Sequence, residues 1–186
     1  MTDRAAILVL ALILAGCGSS PKTNFYTLDP VPGAKVVPAH RHELPILVSH
    51  VDLPGELDRQ SLVTHGAGAT INVSDQDRWA APLDELVRRA FTADLRARLP
   101  SGTVLASGDP TPKSTRSLTL NVRRFMADET GRVALDADWA VQDQSAPAPT
   151  HRATIEVDAA RGSAEAITTA MSQAVGKLAD QVAAAL

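Results

Sequence analysis

The sequence predicts a single α+β domain in which two amphipathic helices pack on one face of a largely antiparallel sheet. Three consecutive stretches in the second half alternate apolar and polar residues with the period of a strand. Two longer stretches carry apolar residues at helical spacing. The chain has 186 residues, of which 45% are hydrophobic, so it can bury one core and is too short for two domains of usual size.

The first elements are short strands. Residues 25–28 form a β-like stretch, and the proline-rich segment 30–45 predicts an extended loop. Residues 46–51 have the apolar character of a buried strand. Residues 61–65 and 69–73 are separated by Gly66-Ala67-Gly68, which predicts a hairpin.

A helix is predicted over residues 78–99, with Asp77 as its N-cap and Pro82 in its first turn. The second half is richer in strands: a short one at 103–106, then alternating stretches that begin near 117, 133 and 150. The alternation slips at Arg124-Phe125, which indicates a bulge or the end of a strand. The last helix is predicted over residues 163–185, and the three alternating strands form an antiparallel meander with one solvated face.

The charge and composition argue against several classes of protein. There are 18 Lys and Arg residues against 21 Asp and Glu, and aromatic residues make up 3% of the chain. A nucleic-acid-binding protein usually carries an excess of basic residues or stacking aromatics, and this sequence has neither. Because Cys17 is the single cysteine, the chain can form neither an intrachain disulfide nor a cysteine zinc cluster.

The N-terminus has the pattern of a bacterial lipoprotein signal. Residues 5–15 are an uncharged apolar run, shorter than the roughly 20 residues that a helix needs to cross a bilayer. This is the length of a signal-peptide core. The sequence Leu14-Ala15-Gly16-Cys17 then matches the lipobox at every position. We therefore expect residues 1–16 to be a signal peptide and Cys17 to be lipidated.

The alternative for Cys17 is a buried core cysteine after an apolar helix. The following Gly18-Ser19-Ser20-Pro21 argues against it because these residues break a helix. Gram-negative lipoproteins with an aspartate directly after the lipidated cysteine tend to stay in the inner membrane. The residue at this position is Gly18, which favours sorting to the outer membrane. The expected division is therefore a lipidated tether over residues 17–23 and a periplasmic domain over residues 24–186.

The sequence carries no recognisable catalytic or cofactor motif. It lacks a Gly-x-Ser-x-Gly elbow, a phosphate-binding glycine loop and a dinucleotide fingerprint. His40 and His42 could face one side of an extended chain, but no third metal ligand follows at a motif spacing. Asp136 and Asp138 lie on the polar face of a predicted strand and are expected to be solvated charges. We predict a protein that is not an enzyme and needs no cofactor or metal.

Four motifs in order resemble the PqiC/YmbA-type ABC-transport auxiliary lipoproteins. After the lipobox comes Phe25-Tyr26-Thr27-Leu28, then a Leu-Pro-x-x-Leu-Asp-Arg segment that starts at Leu53 and leads into Leu62-Val63, and then Arg78-Trp79-Ala80-x-Pro82-Leu83. The resemblance implies a lipid-anchored, non-catalytic docking subunit on the periplasmic face of the outer membrane. Its implied partner is a periplasm-spanning MCE-domain protein, linked to an inner-membrane ABC permease and ATPase in intermembrane lipid transport that supports envelope integrity.

The candidate partner-binding residues lie in the two central motifs: Leu53, Leu57, Asp58, Arg59, Arg78 and Trp79. A structural role for these residues is the competing interpretation, and exposure of Trp79 with both leucines in one patch would favour docking. A periplasmic lipid carrier is the second functional hypothesis, and it would require a deep apolar cavity. Another envelope accessory lipoprotein is a further alternative, and a homo-oligomer is compatible with the sequence.

Overall fold

The computed structural model describes residues 21–36, 44–143, 148–160 and 162–186. The predicted signal peptide, Cys17, His40 and His42 therefore lie outside the described residues. Within them the chain forms eight strands and two helices, which confirms the predicted α+β class. In chain order these are β1 (Asn24–Tyr26), β2 (Ile46–Asp52), β3 (Ser61–His65), β4 (Ile71–Trp79), α1 (Leu83–Arg98), β5 (Val104–Leu105), β6 (Arg116–Ala127), β7 (Arg132–Gln142), β8 (His151–Asp158) and α2 (Ala164–Ala185).

The sheet is organised around β6, the longest strand. One edge of β6 pairs antiparallel with β7, which pairs antiparallel with β8, so the predicted meander is confirmed. The other edge pairs in parallel with β2 along its first half and with β3 at its end, where Thr64 faces Ala127. Outside these strands, β5 lies beside β2, and β4 and then β1 lie beside β3. The longest ladders are antiparallel, as predicted, while the shorter outer pairings include parallel ones.

Both helices pack on one face of this sheet and against each other. Helix α1 contacts β2 and β5, and α2 contacts β6, β7 and β8. Every second residue of the central strands points to the helices, because side chains alternate between the faces of a strand. Leu118, Leu120, Leu135 and Ile155 are buried there, and Phe91 and Leu178 meet them from the helices. The opposite, outer face carries most of the charged strand residues.

The predicted irregularity in β6 is a bulge inside the strand. The pairing with β7 shifts between Val122 and Arg124, and β6 then continues to Ala127. The extra residue returns Phe125 to the helix-covered face, where it is fully buried. The bulge therefore keeps one apolar face along a strand whose sequence alternation slips.

The start of the first long helix differs from the prediction. Residues 77–79 belong to the end of β4, and α1 begins at Leu83 after Pro82, whose ψ of 135° is extended. Asp77 is therefore not an N-cap, and Trp79 is not in the first helical turn. A residue preceding proline is biased away from helical angles, and pairing of this segment with β1 and β3 supplies the backbone hydrogen bonds that a helix would have supplied.

The last helix begins where the sequence predicts. The Ser163 hydroxyl oxygen accepts a hydrogen bond from the backbone N–H of Ala166 at 3.1 Å, which caps the first turn of α2. In the part of the chain that the structure describes, neither helix is long and apolar enough to cross a membrane.

Candidate functional site

The two central motifs lie side by side because they belong to adjacent strands. Arg78 of β4 faces Ser61 of β3 in the ladder. The backbone N–H of Trp79 donates to the carbonyl of Gln60 at 2.6 Å. Two motifs that are distant in the sequence are thereby joined into one region. We call this region the motif surface, and its residues are Leu53, Leu57, Asp58, Arg59, Arg78 and Trp79.

Leu57 and Trp79 do not present their side chains to a partner. Each is 3% exposed and belongs to the main hydrophobic core. Leu53 is half-buried and packs against the same core. Exposure of all three side chains in one patch would have favoured docking. Because Leu57 and Trp79 are buried, their side chains pack in the core and support the motif surface from beneath.

The charged members of the motif surface are exposed. Asp58, Arg59 and Arg78 all face solvent. A short 3₁₀ turn, Gly55–Leu57, positions the first two, and the Asp58 N–H donates to the Gly55 carbonyl at 3.2 Å. Beside this turn lies an open cleft of about 270 Å³. Its lining is apolar at the base and acidic at the rim, with carboxylates from Asp52, Asp58 and Asp84.

Asp77 holds the first strand to the sheet. Its Oδ1 accepts hydrogen bonds from the Asn24 amide at 3.1 Å and the Tyr26 hydroxyl at 3.2 Å. Its Oδ2 accepts from the Ser74 hydroxyl at 2.9 Å. These donors, first of all Asn24, lower the pKa of Asp77 below its ordinary value. Asp77 is thus a strand-linking residue and not the predicted helix cap, and no sequence signal indicated its contact with Asn24, which is distant in the chain.

The segment after β1 is held against the helices by hydrogen bonds and is an ordered part of the domain. Residues 28–36, which we call the strap, cross both helices. The N–H of Asp29 donates to the Ser172 hydroxyl at 3.1 Å, and the N–H of Val36 donates to the carbonyl of Arg98 at 2.8 Å. Val31 packs so closely on Gly176 of α2 that a Cβ added to the glycine would lie 2.9 Å from that of Val31.

A buried ionic cluster fastens the strap to the helices. Asp94 Oδ1 accepts from the N–H of Val31 at 2.7 Å. The Arg98 guanidinium donates to the Val31 carbonyl at 3.1 Å and, through Nε, to Asp180 at 2.5 Å. The Asp94 and Arg98 side chains are almost completely buried, and Asp94 Oδ2 has no hydrogen-bond partner in the described structure.

Burial raises the pKa of the Asp94 carboxyl, against the opposing effects of the Val31 N–H and the Arg98 charge. This cluster was not predicted from the sequence. A signal was present, because Asp94 and Arg98 are spaced i, i+4 and interrupt the apolar stripe of α1. Their position identifies them as structural residues that join α1, the strap and α2.

The carboxylates of the outer sheet face are paired with arginines. Asp138 accepts from Arg152 at 2.8 Å and lies 3.2 Å from Arg123, and Asp136 accepts from Arg124 at 2.9 Å. The hydrogen bond from Arg152 lowers the pKa of Asp138. Both carboxylates therefore belong to a cross-strand ion-pair ladder on the outer face, which agrees with their interpretation as solvated charges.

Two open clefts of about 390 and 410 Å³ flank the first half of α2, and both are larger than the cleft beside the 3₁₀ turn. The second runs between α2, β1 and the strap. The described residues contain no group of three His, Cys, Asp or Glu side chains placed to hold a metal ion. Neither larger cleft has the deep apolar form that the lipid-carrier hypothesis requires.

Comparison with known sequences identifies a family and curated relatives. Residues 26–183 match the family described as ABC-type transport auxiliary lipoprotein component. Over 139 residues the chain is 28% identical to the intermembrane transport lipoprotein PqiC of Escherichia coli, a match that covers 74% of this chain and 73% of the relative. The PqiC of Shigella flexneri matches to the same extent.

Two solved structures share the fold. A crystal structure of an uncharacterized protein superposes with a TM-score of 0.72 at 18% identity, covering 88% of this chain and 97% of that one. A protein from Xanthomonas campestris superposes with a TM-score of 0.63 at 17% identity, covering 86% and 92%. At these identities the two structures support the α+β architecture alone.

Proposed function

Because the chain belongs to the family of ABC-type transport auxiliary lipoprotein components, we propose that it is the outer-membrane-anchored docking subunit of an MCE-type intermembrane lipid transport system. The observation that carries this proposal is the match over residues 26–183, which spans nearly the whole domain that follows the predicted lipobox. The subunit would be non-catalytic and would contribute to envelope integrity through the transport system.

The anchor would be an acylated Cys17. With residues 1–16 removed, Cys17 becomes the N-terminal residue, and Asn24, where β1 begins, lies seven residues further along the chain. Each buried methylene contributes about 0.8 kcal/mol and two acyl chains suffice for stable anchoring, so the domain would remain on its membrane. Seven extended residues span at most about 25 Å. The domain would therefore stay near the headgroups and meet a partner that crosses the periplasm.

The partner contact would use the exposed charges of the motif surface. Asp58, Arg59 and Arg78 face solvent on a backbone that β3, β4 and the 3₁₀ turn hold in place. Exposed charges on a rigid backbone favour specific recognition and fast association with a complementary surface. The proposed partner is a periplasm-spanning MCE-domain protein, which would connect this subunit to the inner-membrane ABC permease and ATPase.

Two measurements test the anchor and the partner separately. Cells fed an alkyne fatty acid should label the wild-type protein and leave Cys17→Ser unlabelled, and wild-type protein should sediment with outer-membrane fractions. Crosslinking in intact envelopes followed by purification should recover an MCE-domain protein. An unlabelled wild-type protein would overturn the anchor, and recovery of no MCE-domain protein would overturn the docking function.

A further inference from the structure

The exposed large apolar side chains of the described structure are unevenly distributed. Phe25 is 66% exposed, Ile71 and Val73 are each 41% exposed, and Leu44 is 40% exposed. The first three lie on the neighbouring strands β1 and β4, whereas Leu44 precedes β2. We call Phe25, Ile71 and Val73 the tether-end patch.

The strand register places this patch on one face of the sheet. Phe25 and Ser61 both pair with Arg78, so all three point to the same side. Along β3, residues 61, 63 and 65 share that side, and the latter two pair with Val73 and Ile71. Because the adjacent Trp79 is buried in the core, this side is the outer face of the sheet, although Phe25, on the edge strand, also borders the cleft of about 410 Å³ beside α2. The two steps along β3 from Ser61 to Val63 correspond to the five steps along β4 from Arg78 to Val73, so Phe25 and Val73 lie about 7 Å apart along the strand direction.

The patch adjoins further apolar surface on the same face. Val73 pairs with Val63, the pairing of Thr64 with Ala127 brings Val63 beside Met126, and Met126 pairs with Ala134. Val63, Met126 and Ala134 are themselves buried among their neighbours. The exposed side chains therefore stand at the border of a continuous apolar row across four strands.

The lipid tether leaves the domain at this patch. Because β1 runs parallel to β4, with Asn24 facing Asp77, the residues before Asn24 head toward the hairpin turn between β3 and β4. The chain from Cys17 to Asn24 spans at most about 25 Å. The hairpin extends beyond Asn24 in the same direction. An acylated Cys17 would therefore bring the patch and the hairpin turn to the membrane surface together.

The lack of charged side chains in the hairpin favours an apolar contact with the membrane over an electrostatic one. Residues 61–74, which form the hairpin, contain no Asp, Glu, Lys or Arg. The neighbouring turn between β6 and β7 carries Asp128 and Glu129, so attraction to anionic lipids would not hold this end on a membrane. A segment without charged side chains, next to exposed Phe, Ile and Val side chains, is suited to the boundary between headgroups and acyl chains.

We propose that the tether-end patch rests in the outer-membrane lipid surface as a second contact beside the acyl anchor, an inference that rests on the proposed lipidation of Cys17. This contact would fix the orientation of the domain. Leu44 lies near the start of β6, roughly 35 Å from the end where β6 meets the hairpin. Asp58 and Arg59 would then stay in the periplasm, because they precede Ser61 on the side away from the hairpin turn, whereas Arg78, which pairs with Phe25, would lie at the border of the lipid contact.

Fluorescence quenching by lipids tests this inference in the full-length, acylated protein. Single Trp probes are introduced as Phe25→Trp, Ile71→Trp and, as the matched control, Leu44→Trp, in vesicles of phosphatidylethanolamine with phosphatidylcholine brominated high in the acyl chains. The native Trp79 and Trp139 are buried and supply a constant background. We expect a blue shift and loss of the added emission at positions 25 and 71 and neither change at position 44. Equal quenching at all three positions, or none at position 71, overturns the proposal.

Lengthening the tether shows whether the tether-end patch binds lipid itself or is only held near the membrane by the short tether. A 20-residue Gly/Ser insertion after Ser20 allows the domain to leave the surface, so quenching at position 71 should persist only if the patch itself binds lipid. Loss of that quenching overturns the proposal. Flotation of the wild-type protein with vesicles and its absence for Cys17→Ser report on the anchor independently, so failure of the patch is distinguished from failure of the proposed function.

Discussion

Arg98 connects three parts of the molecule that are distant in the chain. Its guanidinium contacts Asp94 in its own helix, Val31 in the strap and Asp180 in α2. A buried charge is costly to leave unpaired, so each partner in such a cluster depends on the others. The cluster therefore ties the segment that follows the tether to the helical layer.

Replacement of Arg98 by methionine should lower the free energy of unfolding by about 3–5 kcal/mol, because it leaves the Asp94 carboxylate buried without a counter-charge. Urea denaturation measures this change. Arg89→Met is the control, since Arg89 forms an exposed pair with Glu85 worth about 0–1 kcal/mol. The double variant Arg98→Met/Asp94→Leu should recover part of the loss. An equal effect of the two single substitutions would contradict the structural role of the cluster.

Asp77 makes the first strand sensitive to acid. Its pKa is lower in the folded protein than its ordinary value of 3.8, so the stability that it contributes is present above that value and is lost as the pH falls through the folded pKa. Asp77→Asn should flatten this acid limb of the stability curve. It should also speed hydrogen exchange in β1 at neutral pH, with a local loss of about 1–3 kcal/mol. Asp75→Asn, at an exposed position two residues away, is the control and should leave both measurements unchanged.

At the scale of elements, the contrast between α2 and α1 shows what limits sequence prediction. Helix α2 begins as predicted because its cap, Ser163, and its apolar stripe are local signals. The predicted start of α1 was wrong because the pattern of polar and apolar side chains at residues 77–79 is compatible with either a helix or a strand. Pairing with β1 and β3 decided the outcome, and those strands are distant in sequence.

The strap requires a glycine in the middle of α2. Gly176→Ala would improve intrinsic helix propensity by about 1 kcal/mol, yet the new Cβ would come within 2.9 Å of that of Val31. We expect no gain in stability and faster hydrogen exchange in residues 28–36. Gly55→Ala is the matched control, because its Cβ would enter open space. A gain of the full propensity difference at Gly176 without a change in exchange would show that the strap does not depend on close approach.

At the scale of the whole molecule, the arrangement separates two surfaces. The tether-end patch lies at the end of the sheet where the chain emerges from its predicted anchor, and Asp58 and Arg59 lie on the other side of the β3–β4 pairing from the hairpin turn, while Arg78 pairs with Phe25 at the border between the two. This separation would allow the proposed docking subunit to contact lipid and protein at the same time. The clefts beside α2 add no enclosed volume for a bound lipid.

Charge reversal of the motif surface should weaken partner recovery. Arg59→Glu/Arg78→Glu is expected to reduce the amount of MCE-domain protein captured by envelope crosslinking, since it inverts the exposed positive charges, while the thermal midpoint stays close to that of the wild type. Arg88→Glu/Arg89→Glu on α1 is the control with the same change in net charge. Equal capture by both variants would place the partner contact elsewhere.

The sequence by itself determined the elements with local signals: the lipobox pattern, the three amphipathic strands, the irregularity in β6, the stripe of α2 and, through its ordered motifs, the family. The tertiary structure alone decided the roles of Trp79, Leu57, Asp77, Asp94 and Arg98 and the face on which Phe25, Ile71 and Val73 meet. The physical reason is that periodicity and capping depend on neighbours in the chain. Burial of a charge, pairing of an edge strand and convergence of exposed side chains depend on segments that fold together from distant positions.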